Sequence, residues 1–261
     1  MYHPLNNLRR KIVTIAHKSK EGHIGSSLSI LDVLWVLYDK YYQEKLLAGN
    51  NIIILSKGHA SLGLYAILNE KGLISDEDLI SFCEYTSILG GHPDKNKIEH
   101  VYASTGSLGH GFPIAVGAAM AKKIKKESGN VYVIIGDGES NEGTIWESAL
   151  LAQEHHLDNL VCIVDYNHSN DRSLRLGDLV AKFSSFGWST ASINGHSHNE
   201  IKNTLESLGR GERYSTRSRP IAIIANTIKG NGIKRMENQH EWHHKSPNDE
   251  EYKEIIQELV T

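Results

Sequence analysis

The chain has 261 residues, of which 39% are hydrophobic and 23% are charged, an ordinary composition for a globular protein with a sizeable core. Its formal net charge is -3 and it has no long basic stripe, which argues against nucleic acid or an anionic membrane as a partner. The basic N-terminus is not followed by a signal-type apolar segment, and no run approaches the roughly 20 apolar residues of a membrane span, so we expect a cytoplasmic protein.

The first strong patterns along the chain are two helices on either side of a strand. Apolar residues recur with helical period over 27–42, and Ser26 or Ser27 stands where a helix cap is expected. A short β-branched run at 51–55 predicts a buried strand, and residues 60–71 predict the next helix.

The same alternation continues through the rest of the chain. Helices are predicted over 112–127 and 143–157, and buried strands over 131–135, 161–165 and 221–226. Strands that are apolar on both faces and alternate with helices are typical of a parallel sheet covered on both sides. We therefore predict an α/β fold with three α/β/α layers and a mainly parallel sheet.

The chain shows no internal repeat and no low-complexity linker, so a single domain over 1–261 is expected. A polar loop is predicted at 210–220, before the last strand. Residues 227–261 predict an irregular tail that leads to a short final helix.

Two polar residues follow neighbouring predicted strands. Asp137 stands between two glycines, and Asn167 lies thirty residues later. Ligands of open parallel sheets bind outside the carboxyl ends of the strands, so these two side chains are expected to be neighbours. Sparse oxygen ligands of this kind, completed by phosphate and water, suit Mg²⁺ better than Zn²⁺.

Two other interpretations compete for this segment. A calcium loop beginning at Asp137 fails, because Glu142 occupies the position that requires glycine and Ser148 the position of the bidentate acid. Alternatively, Asp137 only caps the helix that starts near Glu142, and the local pattern by itself leaves that interpretation open.

A second glycine-rich segment lies at 104–123. Gly106, Gly109 and Gly111 precede a predicted helix, so free amide hydrogens and a helix N-terminus are available to an anion or a flat heterocycle. The spacing is not GxGxxG, which makes a dinucleotide-binding domain a weak alternative.

Histidine is abundant, with 15 residues. A histidine on a glycine loop is exposed enough for proton transfer or phosphate contact. Five of them directly follow a glycine, namely His23, His59, His92, His110 and His196. One such loop more often has a structural role, but several at separate positions favour a functional site.

These features resemble the N-terminal, diphosphate-binding part of transketolase, and most closely the N-terminal chain of split, two-chain transketolases. The resemblance covers nearly the whole chain, and its motifs occur in the family's order, so the set is far more specific than any one motif. The motifs are GHIGSSLSILDVLWVLY (22–38), LSKGHASLGLYAIL (55–68), GGHPD (90–94), STGSLGHG (104–111), GDGESNEGTIWESALLA (136–152), LDNLVCIVDYNHS (157–169), FGW (186–188), IANTIKGNG (224–232) and MENQHEWHHKSPND (236–249).

The resemblance implies thiamine diphosphate and Mg²⁺ as cofactors, in a thiamine diphosphate-binding fold. The implied metal positions are Asp137, the side chain of Asn167 and the backbone carbonyl of Ser169. The cofactor-binding positions that it implies are Gly106, Leu108, Gly138, Glu139 and His59, together with Asp137 and Asn167. The histidines that it implies for proton transfer to or from the substrate are His23, His59, His92 and His243.

The resemblance also implies a partner. Transketolases activate the cofactor with a glutamate from a second domain, and this sequence does not contain that domain. A separate C-terminal subunit carrying the pyrimidine-binding domain is therefore expected, in an α₂β₂ heterotetramer, with Glu142 and Glu147 toward the subunit interface. The expected activity is transfer of a two-carbon ketol unit between sugar phosphates or related sugars.

Departures from the family pattern leave two alternatives open. His110 replaces a usual glutamine, His244 replaces a usual glycine, and the segment 168–176 is more polar than usual. These changes keep open an enzyme that makes a branched or modified sugar, for example on a nucleotide carrier, and a non-catalytic regulatory relative. His196 and the pair His155 and His156 have no catalytic counterpart, so they are predicted to be loop and helix-surface residues.

Overall fold

The computed structural model describes residues 4–42, 50–171, 174–211 and 219–260. Within these residues, five strands form one sheet in the order β1-β2-β3-β5-β4, and every pairing is parallel. The strands are β1 (Ile52–Leu55), β2 (Val131–Gly136), β3 (Leu160–Tyr166), β4 (Ser189–Asn194) and β5 (Ile221–Asn226). The predicted parallel sheet is confirmed.

Side chains that alternate along the buried strands divide the core into two layers. On β2, Tyr132 and Ile134 belong to one hydrophobic cluster, whereas Val133 and Ile135 belong to the other. The alternation follows from the two-residue period of a strand, and both faces are apolar because helices cover both. The three-layer α/β/α arrangement is therefore also confirmed.

Helices flank the sheet on each side. They are α1 (Pro4–Ser19), α2 (Ile24–Ser29), α3 (Leu31–Lys40), α4 (Ser61–Glu70), α5 (Asp76–Ile80), α6 (Gly111–Lys125), α7 (Gly143–Glu154), α8 (Leu179–Ser185), α9 (His198–Gly211) and α10 (Asp249–Val260). Core residues of α6, α7 and α8 pack on one face of the sheet. Those of α1 to α5, α9 and α10 belong to the cluster on the opposite face.

The helix predicted over 27–42 is wrong as a single element. It begins earlier, at Ile24, and divides at Ile30, whose backbone leaves helical geometry with φ -100° and ψ 2°. No serine caps it: the N-cap is His23, which has a left-handed φ of 62° and makes no capping hydrogen bond with its side chain. The apolar period continues across the break because both short helices face the same core.

Sequence patterns missed β4 and the helices α1, α5, α8 and α9. Strand β4 has the sequence STASIN and lies at the edge of the sheet, and of its residues only Ile193 is buried, so it lacks a continuous apolar run. The loop predicted over 210–220 is wrong at its start, because α9 continues to Gly211; positions 212–218 lie outside the described residues. Beyond β5 the predicted irregular stretch is found, ending in α10.

In the part of the chain that the structure covers, no helix combines the length and the apolar character that a membrane crossing requires.

Candidate active site

A cavity of about 300 Å³ lies at the carboxyl edge of the sheet. Ser56 and Lys57 follow β1, Asp137 follows β2, Asn167 follows β3 and Lys229 follows β5 after two further residues. Parallel strands bring all these segments to the same edge, because their carboxyl ends point the same way.

Every site residue predicted from the sequence lines this one cavity, although the chain separates the first from the last by most of its length. They are His23, His59, His92, Gly106, Leu108, Asp137, Gly138, Glu139, Asn167, Ser169 and His243. The same cavity is lined by Lys57 and Lys229, which the sequence did not single out.

The two carboxylate oxygens of Asp137 differ in their hydrogen bonding. Its Oδ1 accepts a hydrogen bond from the amide of Gly138 at 2.7 Å, whereas Oδ2 is buried and has no hydrogen-bond partner among the described residues. Burial, reinforced by the charge of Asp165, raises the pKa of Asp137 above its usual range. The residue does not cap α7, whose N-cap is Glu142, so the helix-cap interpretation is wrong. A buried carboxylate oxygen without a donor is suited to a cation.

Asn167 is held in a defined orientation. Its Nδ2 donates to the carboxylate of Asp165 at 2.9 Å, so its Oδ1 faces Ser169, whose backbone N–H donates to it at 3.1 Å. The orientation is fixed because a carboxylate can only accept, which places the donating amide nitrogen on the Asp165 side. Carboxylate, side-chain amide and backbone carbonyl oxygens are the donor set of Mg²⁺ or Ca²⁺.

Asp165 is the polar centre beneath the cavity, and sequence reasoning missed it. This carboxylate is 1% exposed and forms an ion pair with Lys57, which is 2% exposed. It also accepts from Ser29 Oγ at 2.6 Å, from Asn167 and from Thr227 Oγ1. Charged groups are seldom this deeply buried unless they are paired. The available signal was an aspartate inside the otherwise apolar run VCIVDY.

Lys229 is a second buried cation. Its Nζ donates to Ser169 Oγ at 3.1 Å and to Nδ1 of His243 at 2.6 Å, and within the described residues no carboxylate is in ion-pair contact with it. Burial and the neighbouring charge of Lys57 lower the pKa of Lys229 to about 8. We call residues 227–232 the Lys229 loop. Unlike Lys57, Lys229 is not in ion-pair contact with a carboxylate among the described residues, so its ammonium group is available to an anionic ligand.

Imidazole rings form another part of the cavity lining. The ring centroids of His23 lie 5.0 Å from His59 and 5.5 Å from His243, and 4.6 Å from His244. Burial, together with the positive groups nearby, lowers the pKa of His23 to about 4 and that of His59 to about 2. The pKa of His243 is lowered by burial and by Lys229. The rings of His23, His59 and His243 are therefore neutral near pH 7, and each can donate one hydrogen bond and accept another.

His92 and the glycine-rich segment close the cavity. Gly106 has a φ of 148°, and a Cβ there would lie 2.9 Å from Cδ2 of the His92 ring, so a side chain would displace the histidine. The loop that carries His92 is anchored on α4 by bonds from Ser61 Oγ to the Gly91 carbonyl and from Tyr65 Oη to the Gly90 carbonyl.

Glu139 lines the cavity, but its carboxylate is already used. It accepts from Ser56 Oγ and from the backbone amides of Gly109 at 2.9 Å and Gly136 at 3.1 Å. Burial raises the pKa of Glu139. These bonds join the glycine-rich segment to the ends of β1 and β2, so the carboxylate fixes the shape of the cavity floor.

Other residues singled out from the sequence lie outside the cavity. His110 is the exposed N-cap residue of α6, and its Nδ1 is 3.0 Å from the carbonyl of Leu108. Glu142 and Glu147 are exposed on α7, and His155 and His156 are exposed just beyond its end, as predicted for surface residues.

A family model described as "Transketolase, thiamine diphosphate binding domain" matches residues 3–260, which include every residue of the cavity. The chain belongs to the transketolase family. It is 36% identical over 264 residues to an apulose-4-phosphate transketolase subunit of Phocaeicola vulgatus, and this match covers 96% of the chain and 90% of the relative.

Two further likenesses show how much of a transketolase the chain spans. It is 35% identical over 270 residues to a 6-deoxy-6-sulfo-D-fructose transketolase subunit of Clostridium sp., covering 99% of the chain and 96% of that subunit. The crystal structure of transketolase from Campylobacter jejuni matches with a TM-score of 0.86 at 31% identity, covering 97% of this chain but 42% of that one. The chain therefore corresponds to the N-terminal portion of longer transketolases and to nearly the full length of relatives named as subunits.

Proposed function

We propose that this chain is the diphosphate-binding subunit of a thiamine diphosphate- and Mg²⁺-dependent transketolase that transfers a two-carbon ketol unit between sugar derivatives. One observation carries the proposal: eleven residues chosen from the sequence, spread from His23 to His243, line a single cavity at the carboxyl edge of the sheet.

The residues present fit a magnesium ion. Asp137 would supply its unpartnered Oδ2, Asn167 its Oδ1 and Ser169 its backbone carbonyl. In the described portion of the chain, no group of three or more histidine, cysteine or acidic side chains is arranged to hold a metal. A site with one carboxylate and two neutral oxygens leaves coordination positions for phosphate oxygens and water, as Mg²⁺ prefers.

Lys229 and the glycine-rich segment would bind the diphosphate. The charge of Lys57 is neutralised by Asp165, whereas Lys229 has no carboxylate in ion-pair contact among the described residues. A cation without an ion-paired carboxylate, near a divalent metal, is an arrangement that binds phosphate groups. His59 and Leu108 would complete the cofactor contacts.

The histidines that line the cavity would exchange protons with the substrate. Bound thiamine diphosphate supplies the carbanion chemistry for carbon–carbon bond cleavage and formation. Because Lys229 donates to Nδ1 of His243, the neutral ring of His243 carries its proton on Nε2, where it can be donated to a substrate oxygen. We propose proton exchange with substrate hydroxyls for His23, His59 and His92 as well. Because low pKa values keep His23 and His59 uncharged, each of these two rings can donate one hydrogen bond and accept another.

A partner subunit would complete the site. The Phocaeicola and Clostridium relatives are both named as subunits, which supports a two-chain enzyme. Helix α7 exposes Glu142 and Glu147 together with the apolar side chains of Leu150 and Leu151, a surface suited to a protein contact. We propose an α₂β₂ assembly in which the partner contributes the pyrimidine-binding domain. The cytoplasmic location stays a prediction.

Isolation of the native complex tests the proposal. The chain should be recovered from its own cell extract with a stoichiometric partner, identified by mass spectrometry, and the complex should show ketol transfer that depends on thiamine diphosphate and Mg²⁺. The Asp137→Asn complex should be inactive, whereas Asp158→Asn, which alters an exposed aspartate away from the cavity, should keep wild-type activity. Full activity of the chain alone would contradict the two-chain arrangement.

The names of the relatives favour an anionic, modified sugar as substrate. One is named for apulose 4-phosphate and the other for 6-deoxy-6-sulfo-D-fructose, so both names contain a ketose with a phosphate or sulfo group. A screen of the complex against pentose phosphates, branched sugar phosphates, sulfosugars and nucleotide-linked sugars would identify the substrate class. Turnover of unbranched pentose phosphates alone would reject the modified-sugar alternative.

A further inference from the structure

Asp32 is a further buried carboxylate, and it does not line the cavity. Asp32, on α3, is 2% exposed and accepts from Nδ1 of His196 at 2.9 Å and from Nε2 of His198 at 2.8 Å. Asn231 Nδ2 donates to it at 3.3 Å, and the guanidinium of Arg9 lies 4.0 Å away. Burial alone would raise the pKa of Asp32, but the bonds from the two histidines lower it to about 2.

His196 connects this carboxylate to the active site. Its Nδ1 faces Asp32, which can only accept, and its Nε2 lies 2.8 Å from the backbone nitrogen of Ile228, which can only donate. The two partners therefore fix the ring in the neutral tautomer with the proton on Nδ1. A ring protonated on both nitrogens could not accept the Ile228 bond.

The bond to Ile228 falls in the Lys229 loop, one residue before the lysine. The loop is held at other points too: Gly230 N–H donates to the Gly25 carbonyl at 3.1 Å, and Arg9 Nε donates to the Asn231 carbonyl at 3.1 Å. At its start, Thr227 Oγ1 donates to Asp165. His196 thus adds a side-chain anchor directly beside Lys229 along the backbone.

We infer that His196 is a positioning residue: through its paired bonds to Asp32 and to Ile228 N–H, it holds the Lys229 loop so that the ammonium group is directed into the cavity. The consequence for ligand binding rests on the proposed function, in which Lys229 binds a diphosphate. The ring itself does not line the cavity. The structure thus confirms that His196 is a loop residue and adds a role that its sequence context did not reveal.

His198 provides a matched control. Both histidines donate one hydrogen bond to the same carboxylate, but in the described residues only His196 also accepts from the Lys229 loop. His196→Leu and His198→Leu therefore remove the same kind of bond from Asp32 and differ in the link to Ile228. His196→Gln keeps one donor and one acceptor on a planar group and is the conservative variant.

Amide hydrogen exchange of the full chain, without any ligand, tests the link. Loss of the hydrogen bond from the Ile228 N–H to the His196 ring predicts roughly tenfold faster exchange in the segment 227–232 for His196→Leu, with substantial recovery in His196→Gln. His198→Leu should leave that segment at the wild-type rate, and strand β2 should be protected equally in all variants. Unchanged exchange in His196→Leu, or equal acceleration in His198→Leu, would overturn the inference.

The ring tautomer gives a test that needs no variant. Long-range ¹H–¹⁵N correlation spectra of the wild-type chain should assign to His196 a neutral ring with the proton on Nδ1. A proton on Nε2 would exclude the bond from Ile228 and overturn the inference even if every leucine variant failed to fold.

Calorimetry with inorganic diphosphate and Mg²⁺ connects the loop to the proposed site. His196→Leu should bind this probe about threefold to tenfold more weakly than wild type, in line with one misplaced charge-assisted bond, and His198→Leu should match wild type. If the wild-type chain does not bind diphosphate, the proposed role of Lys229 fails, while the exchange and tautomer results still decide the role of His196. Equal affinity in His196→Leu and wild type would overturn the effect on Lys229.

Discussion

The two walls of the cavity are built in opposite ways. At the strand ends, the ammonium group of Lys57 and the Nδ2 of Asn167 both donate to the carboxylate of Asp165. On the wall formed by His23 and the neighbouring rings, the imidazoles contact one another, and Nδ1 of His23 is buried without a hydrogen-bond partner among the described residues. The first wall is fixed by the chain itself, whereas the second has polar capacity that a substrate or a partner subunit can use.

The comparison shows which parts of the cavity lining carry buried charge and which consist of neutral groups. The buried charges of Lys57 and Asp165 compensate each other within the chain, so this pair supports a rigid site for a metal and a diphosphate. The histidine wall avoids charge, because burial and the nearby lysines favour neutral rings. The ion-paired Lys57 and the neutral imidazole rings thus line the same cavity of about 300 Å³, in which Lys229 contacts His243.

Removing the buried carboxylate of Asp165 should produce the largest effect, a loss of stability. Asp165→Ala leaves Lys57 buried without its counter-charge, and we expect a loss of about 3 to 5 kcal/mol in the free energy of unfolding. Urea denaturation of the purified chain measures it. The matched control is the exposed pair of Asp158 and Lys123, for which Asp158→Ala should cost no more than about 1 kcal/mol. Equal losses at the two sites would show that burial of the first pair does not matter.

Removing the unpartnered carboxylate should weaken the cofactor site without affecting the fold. Asp137→Asn keeps the volume but removes the anionic metal ligand, so we expect Mg²⁺-dependent affinity for thiamine diphosphate to fall about 100-fold, equivalent to roughly 2 to 3 kcal/mol. Calorimetry on the complex with the partner measures this change. The variant should also unfold at a wild-type or higher urea concentration, because the buried negative charge is gone; a strongly destabilised protein would contradict that view.

Removing the ammonium group of Lys229 should weaken thiamine diphosphate binding less than removing the carboxylate of Asp137. Lys229→Met preserves the apolar stem but removes the charge, and we expect affinity for thiamine diphosphate to fall about tenfold, as for one charge-assisted hydrogen bond. The comparison with Lys245→Met is informative, because Lys245 is paired with Glu251 and does not line the cavity. Affinity should be unchanged in that variant, and a similar fall in both would point to a non-specific loss of positive charge.

The low pKa of His23 should make the stability of the chain depend on pH. The folded pKa of His23 is about 4, below the ordinary 6.5, so the unfolded chain binds its proton first as the pH falls. The contribution of His23 to stability is therefore complete above about pH 6.5 and is lost as pH falls toward 4. Asparagine tolerates the left-handed φ of 62° at this position, so His23→Asn should fold and should lose less stability over that interval. Equal pH dependence of the two proteins, measured by denaturation, would exclude this contribution.

Local sequence patterns were sufficient to predict part of the site. Asp137 and Asn167 could be predicted because each directly follows an apolar strand, and parallel strands deliver their carboxyl ends to one edge. Strand β4 was not predicted because it is a polar edge strand. The break at Ile30 was not predicted because the apolar period continues through it. Glu139 was identified as a cofactor position, but its carboxylate is occupied by Ser56 and two backbone amides.

The sequence by itself determined the layered α/β fold, the edge at which the cavity lies and the family, because strand and helix periods and ordered motifs are local properties of the chain. Only the tertiary structure decided that Lys57 pairs with Asp165 across 108 positions and that His196 links Asp32 to the Lys229 loop. No periodicity encodes such pairs, since they depend on how separate strand ends meet. Those long-range contacts determine which charges are neutralised inside the chain and which remain available to a ligand.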